Sequence, residues 1–101
     1  MRKPRPNLQR WYSNYNHKFF NSALPKDASV GWENMDSRLL GYMQPGKIRI
    51  NAKLSNWKQQ WRMTLMHEMV HMYLPKRVHH GPRFDAEMRR LASEGAFNGL
   101  W

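Results

Sequence analysis

Cysteine is absent from the 101 residues of this sequence. Disulfide bonds, a cysteine-based metal site and a thiol nucleophile are therefore excluded. The sequence also lacks any apolar run that approaches the ~20 residues of a membrane-spanning helix. Its basic start has none of the apolar stretch of a secretory signal. We therefore expect a single cytoplasmic domain over residues 1–101 that does not contact a membrane. We assume that it is a monomer.

Acidic residues are scarce: 7 Asp and Glu stand against 17 Lys and Arg, which gives a formal net charge of +10. The first 26 residues hold six basic residues and no acidic one. A field of this sign attracts polyanions, nucleic acid first, although a solvated basic surface would look the same. Residues 1–6 have the composition of a basic extended arm. We predict non-specific DNA binding through Arg2, Lys3, Arg5 and Arg10.

The stretch from Leu65 to Leu74 contains the HExxH pattern, with His67, Glu68 and His71. Residues four apart lie one above the other on a helix, so both imidazoles can face one metal ion. The carboxylate of Glu68 can then reach a water molecule bound to that metal. Neutral imidazoles suit Zn²⁺, and a site with three protein ligands and an open fourth position is hydrolytic rather than structural. The alternative is a helix that carries two ordinary histidines.

A candidate third ligand lies nine residues beyond His71. His79 and His80 precede Gly81, which permits a sharp turn, and Pro82, which suits the first position of a helix. A chain reversal at this point could return His80 to the metal. His79 stays open as an alternative, because the two histidines are adjacent.

HEMVHMYL followed by HGPRF resembles the SprT-like family of zincin metallopeptidases, whose members include a DNA–protein crosslink protease. The similarity runs from about residue 8 to residue 94, although the zinc ribbon of many members is missing. It implies a minimal zincin-like domain with one zinc on His67, His71 and His80, and with Glu68 as the catalytic base. The family's ligand directly precedes glycine, which favours His80 over His79.

The remaining pattern predicts an α+β fold. Apolar residues from Leu8 to Phe19 recur on one face of a helix, and we interpret this aromatic stripe as core rather than as a base-stacking platform. Three short strands follow, at residues 29–34, 39–43 and 47–51, and Pro45-Gly46 should join the last two as a hairpin. Alternation places Ile48 and Ile50 inward and Asn51 outward.

The HExxH helix should begin near Asn56, with Gln59 as its capping-box partner, and end at Leu74 before Pro75. Apolar residues on both flanks, Trp57 among them, indicate a helix buried on nearly all sides. A last helix should run from Pro82 to a stop near Gly95, followed by a tail, residues 96–101, whose Leu100 and Trp101 pack on the domain.

Three functions fit these features. The first is a zinc endopeptidase acting on DNA-associated or partly unfolded proteins, in which Glu68 takes a proton from the attacking water and passes it to the leaving amine. The second is a non-catalytic nucleic-acid-binding module whose zinc is closed by a fourth ligand such as His79 or Asp85. The third is a peptidase with one dedicated regulatory substrate. For a peptidase, the resemblance to zincins implies that the substrate lies along a sheet edge above the active-site helix, and the sequence does not show which strand forms that edge.

Overall fold

The computed structural model describes residues 5–75 and 80–98. Three helices and a small mixed sheet confirm the predicted α+β class. In chain order the elements are α1 (Leu8–Phe19), β1 (Ser29–Glu33), β2 (Gly41–Gln44), β3 (Lys47–Asn51), a 3₁₀ turn (Ala52–Leu54), α2 (Lys58–Tyr73) and α3 (Pro82–Ser93). No helix in these two ranges has the length and apolar character needed to cross a membrane. The predictions for Arg2, Lys3, His79, Leu100 and Trp101 fall outside the described residues.

The sheet has the strand order β1-β3-β2. The expected hairpin is present: β2 and β3 pair antiparallel across Pro45-Gly46, with Gln44 opposite Lys47. The sequence did not indicate that β1 pairs with β3 in parallel, with Ser29 opposite Lys47 and Glu33 opposite Asn51. The hairpin therefore places its second strand in the centre of the sheet and its first strand, β2, at an edge.

The core lies between the sheet and the helices. Ile48 and Ile50 are fully buried, as the alternation predicted. Helix α2 packs across β2 and β3, α1 packs against β1, and α3 packs against α2. The aromatic stripe of α1 belongs to this core, since Tyr12, Tyr15 and Phe19 are all buried. It is therefore not an exposed platform for nucleic-acid bases.

Asn51 was predicted to face outward, and this was wrong: only 2% of it is exposed. Its Nδ2 donates to the backbone oxygens of Asp36 and Leu39, at 3.1 and 2.8 Å, and its Oδ1 accepts from the backbone N–H of Lys53 at 3.1 Å. The side chain thereby ties the β1–β2 loop to the 3₁₀ turn. Strand alternation does not predict the burial of Asn51, because the groups that surround this last strand residue come from a loop distant in sequence.

The predicted start of the HExxH helix was also wrong. Helix α2 begins at Lys58, its N-cap residue is Trp57, and no side chain caps it. Asn56 lies in the chain that follows the 3₁₀ turn, where the N–H of Trp57 donates back to the carbonyl of Leu54. The capping box with Gln59 is consequently absent. Trp57, expected in the core, is 58% exposed.

The connection from α1 to β1 is held by a buried side chain. Asn16 is 4% exposed, and its amide makes two reciprocal bonds with the backbone of Leu24, each 3.0 Å long. Its own carbonyl accepts the N–H groups of Phe20 and Ser22 just beyond the helix end. Asn16 thus satisfies the polar groups of a turn that would otherwise be buried without partners.

Candidate metal centre

His67 and His71 are brought together by α2 alone. They lie one helical turn apart on the same face, and their Nε2 atoms are 3.1 Å from each other. Helical geometry makes this approach local, since positions four apart superpose whatever surrounds the helix. Both side chains are half-buried.

The third imidazole comes from the segment that leads into α3. The Nε2 atom of His80 lies 3.1 Å from the Nε2 atoms of both His67 and His71. Gly81, which follows, has φ 147° and serves as the N-cap of α3, with Pro82 at the first helical turn. Only glycine adopts this backbone conformation without strain, so the turn that returns His80 to α2 depends on it. His79 lies outside the described residues.

The triangle of nitrogens has the size expected for a metal site. Neighbouring nitrogens in a tetrahedral site with Zn–N bonds of about 2.05 Å lie about 3.3 Å apart. A hydrogen-bonded cluster explains the arrangement less well, because an Nε2 atom that carries a proton has no lone pair with which to accept a hydrogen bond. At least one of the three contacts would then join two donors or two acceptors. A cation that accepts all three lone pairs satisfies every nitrogen. These three histidines could therefore hold a metal ion.

Phe84 supports all three imidazoles at once. Its ring centroid lies 4.8, 4.8 and 4.9 Å from those of His67, His71 and His80. The side chain is 5% exposed and projects from the first turn of α3. The sequence analysis assigned no role at the site to Phe84, and the signal for its contact with the histidines was its place four residues after His80 in the HGPRF segment.

Glu68 follows His67 on the same turn of α2. It is 8% exposed, and burial raises its pKa from about 4.5 to about 7. Among the residues that the structure describes, no hydrogen bond or ion pair holds this carboxylate. A buried carboxylate with its lone pairs free, on the same turn as His67, is available to bind and deprotonate a water molecule.

The surroundings of His67 favour a neutral imidazole. Burial, with smaller contributions from the charges of His71 and His80, lowers the pKa of His67 from about 6.5 to about 4. A neutral imidazole is the form that binds metal, so the fold keeps a ligand lone pair available in the metal-free protein.

The other acidic candidates do not join the cluster. Glu87 and Glu94 both form ion pairs with Arg90. Asp85 is exposed in the first turn of α3 and is not grouped with the three histidines. No fourth carboxylate or imidazole within residues 5–75 and 80–98 lies close enough to close the site. His17 is exposed, and Tyr73 packs on Phe20 at 5.4 Å while remaining 43% exposed.

A model of the SprT-like family matches residues 8–99 of this sequence. The chain belongs to the SprT-like family. Membership confirms the resemblance drawn from HEMVHMYL and HGPRF, and it is consistent with a metallopeptidase. Within this SprT-like chain the three histidines that the motif picked out lie together, and Glu68 follows His67 on the same helix. Their function as ligands and base stays a prediction.

The two edges of the SprT-like sheet differ in their exposed backbone groups. At the β1 edge, the side chain of Gln9 accepts from the N–H of Val30 at 3.0 Å and donates to the carbonyl of Ala28 at 2.9 Å. Helix α1 therefore covers this edge with the hydrogen bonds that an added strand would need. No sequence pattern predicted the contact between Gln9 and β1, because Gln9 lies on the polar side of its helix.

The β2 edge is open in the part of the chain that the structure describes. The N–H of Asn51 donates to the carbonyl of Leu40, so alternation turns the N–H and C=O groups of Gly41 and Met43 away from β3. Within that part of the chain, no hydrogen bond uses these groups. A Cβ on Gly41 would lie 2.8 Å from the carbonyl oxygen of Arg49 and 3.0 Å from the side chain of Thr64. Glycine therefore lets this edge lie directly against α2, one turn before His67.

The proposed basic DNA surface is described only in part. Arg5 and Arg10 are both exposed, and neither takes part in an ion pair among the described residues. The backbone of Pro6 is fixed by the indole N–H of Trp32, which donates to its carbonyl at 2.9 Å. Pro6 is thereby held against β1, at the edge of the sheet opposite β2.

Proposed function

We propose that this SprT-like protein is a zinc-dependent endopeptidase. The observation that carries the proposal is the triangle of three Nε2 atoms, each pair 3.1 Å apart. On the same turn as His67 lies Glu68, a residue that is 8% exposed and whose carboxylate no described residue binds. Three imidazoles fit Zn²⁺, and the described residues supply no fourth ligand that would close the site.

The reaction is hydrolysis of a peptide bond. When bound, Zn²⁺ supplies a Lewis acid that activates water and polarises a carbonyl. His67, His71 and His80 would hold the ion, and Phe84 packs against their rings. Glu68 takes a proton from the attacking water and delivers it to the amide nitrogen as the C–N bond breaks, so that a carboxylate and an amine are released. Its raised pKa lies close to neutrality, which suits a group that must accept and return a proton.

The open β2 edge is the natural place for the substrate backbone. An extended peptide would add to it as a further strand, through the outward N–H and C=O groups of Gly41 and Met43. Such a strand passes beside α2 and so reaches the histidine triangle. The β1 edge is less suitable because Gln9 already bonds to the N–H of Val30 and to the carbonyl of Ala28.

The substrate class is proposed from charge. A formal net charge of +10 favours substrates that are bound to nucleic acid, and Arg5 and Arg10 remain available to contact phosphates. We therefore propose DNA-associated proteins as substrates. We separately propose the cytoplasm as the compartment. A peptidase with one dedicated substrate has the same site and remains the second candidate. A closed structural zinc is less well supported, since Asp85 is not grouped with the histidines.

The test is a cleavage assay on a DNA-bound protein, with and without DNA, using zinc-loaded wild type and Glu68→Gln. Removal of a general base should lower kcat by about 10²- to 10⁴-fold, while zinc content stays at one per chain. Glu94→Gln makes the same chemical change outside the site and should leave cleavage unaltered. Wild-type turnover by the Glu68 variant, or a metal-free wild type after zinc-replete expression, would contradict the proposal.

A further inference from the structure

A second surface feature lies beside the start of α2. It is an open groove of about 600 Å³, lined by Leu40, Lys53, Leu54, Trp57, Lys58, Gln59 and Gln60. We call it the Trp57 groove. Trp57 is 58% exposed and Leu40 is 47% exposed, so the groove presents apolar surface that nothing covers among the described residues. No part of the proposed peptidase mechanism uses it.

The position of the groove relative to the metal centre is set by α2. Trp57 precedes His67 by ten residues, which corresponds to about 15 Å along a helix. Leu40 faces the first turn of α2, and the next residue, Gly41, lies against Thr64 one turn further on. β2 therefore leaves the groove and advances along α2 in the direction of His67.

This makes the groove continuous with the open β2 edge. A polypeptide added to that edge advances about 3.3 Å per residue. Four to five residues would thus separate a bond at the metal centre from a side chain in the Trp57 groove. The Trp57 groove and the open β2 edge thus form one continuous binding surface for an extended polypeptide, which we call the track.

The lining of the groove defines what it would accept. Leu40, Leu54 and Trp57 offer an apolar and aromatic floor, while Lys53 and Lys58 add two positive charges. No acidic side chain lines it; the nearby Asp36 is paired with Arg38 at 3.0 Å. Lys53 is anchored by donating to the carbonyl of Ser37, which fixes one charge at the groove. The complementary ligand is an apolar or aromatic side chain with a neighbouring carboxylate.

We propose that the Trp57 groove is a docking subsite for the substrate polypeptide, and that it receives an apolar or aromatic side chain flanked by Asp or Glu four to five residues from the cleaved bond. This inference rests on the proposed peptidase function. Nucleic acid is the less favoured occupant, because the leucines of the groove and its continuity with a strand edge match an extended peptide better than stacked bases.

The kinetic test compares a long and a short substrate. Unfolded β-casein can span the track, whereas a hexapeptide centred on the first casein bond that the wild type cleaves extends only about 10 Å to either side. Trp57→Ala should raise KM for casein about tenfold, with kcat and hexapeptide cleavage unchanged within twofold. Trp57→Phe should recover most of the loss. Tyr73→Ala removes another exposed aromatic of α2 and should change neither substrate.

A binding measurement separates failure of this inference from failure of the proposed function. Fluorescein-labelled β-casein is titrated with the full-length Glu68→Gln protein, with and without Trp57→Ala, and anisotropy is recorded. A tenfold loss of affinity supports docking at the groove, even if the wild type cleaves nothing. Unchanged casein affinity overturns the inference. So does a Trp57 variant that loses affinity for an oligothymidylate while casein binding stays intact, since the groove would then bind nucleic acid.

Discussion

Replacing Phe84 by leucine should weaken metal binding without removing any metal ligand. The ring of Phe84 lies within 4.9 Å of all three imidazole centroids and is almost fully buried. Each ring pair of this kind contributes about 0.5–1.5 kcal/mol beyond area burial. Leucine keeps an apolar side chain at this position but cannot contact three rings at once, so the imidazoles regain rotational freedom.

The expected magnitude follows from what such supporting contacts usually contribute. Loss of a group that orients metal ligands typically lowers metal affinity by about 10- to 100-fold, which is about 1.4–2.7 kcal/mol. Two of the three ring contacts would supply this amount. Phe84→Trp retains an aromatic ring at the same place and should bind metal more tightly than the leucine variant.

The assay is a competition titration of the metal-free protein with zinc and a chelator of known affinity, with chemical denaturation measured in parallel. Leu91→Val is the matched control, because Leu91 is fully buried on the same helix and has no ring contact with the histidines. It should lower the free energy of unfolding by about 0.5–1.5 kcal/mol and leave zinc affinity unchanged. Wild-type zinc affinity in Phe84→Leu would refute the reasoning, since ring packing would then not position the ligands.

Three further changes test other parts of the molecule. Asn16→Ala should lower the free energy of unfolding by about 2–4 kcal/mol in urea, because it orphans two buried backbone groups of Leu24, whereas exposed Asn14→Ala should cost little. Removing bound metal with a chelator should accelerate amide hydrogen exchange more in α3 than in the sheet, because the metal would tie α3 to α2. An equal acceleration in α3 and in the sheet would contradict this dependence of α3 on the metal. DNA affinity at low salt should fall steeply as salt rises. Glutamine replacement of the four basic residues Arg2, Lys3, Arg5 and Arg10 should reduce the dependence of DNA affinity on salt without changing peptide cleavage. If the wild type binds no DNA at low salt, DNA has no part in the function.

The parts of the site that sequence predicted are those encoded by local geometry. His67 and His71 superpose because any helix places residues four apart on one face, and Gly81-Pro82 marks a turn followed by a helix start. The aromatic stripe of α1 and the Pro45-Gly46 hairpin are local patterns of the same kind. Each needs no knowledge of the rest of the chain.

The predictions that were wrong depended on neighbouring structure that the pattern of the residues themselves does not encode. Asn56 resembles a helix cap, but the 3₁₀ turn after β3 ends two residues before it and shifts the helix start to Lys58. Trp57 was assigned to the core by helical spacing and instead lies exposed at the N-cap. Asn51 is buried by carbonyls of a loop twelve to sixteen residues earlier. No local propensity contains this information.

The choice between sheet edges shows the same limit more sharply. β1 and β2 are both short edge strands, and nothing in their own residues distinguishes them. The distinction comes from Gln9, whose side chain bonds to β1 across nineteen to twenty-one positions of sequence. A polar residue on a helix surface is normally solvated, so this contact becomes visible only once α1 has packed against the sheet.

The geometry of α3 explains why the metal centre and the fold should depend on each other. Only Phe84 and Leu91 of this helix are buried, and Phe84 reaches its place among the imidazoles by packing against all three. A metal held by His80 and by two histidines of α2 would therefore join the two helices at the N-terminal end of α3. Binding free energy at such a site is also folding free energy, because the unfolded chain does not hold the triangle. The same ion that would activate water would thus hold α3 in the position that keeps His80 beside α2.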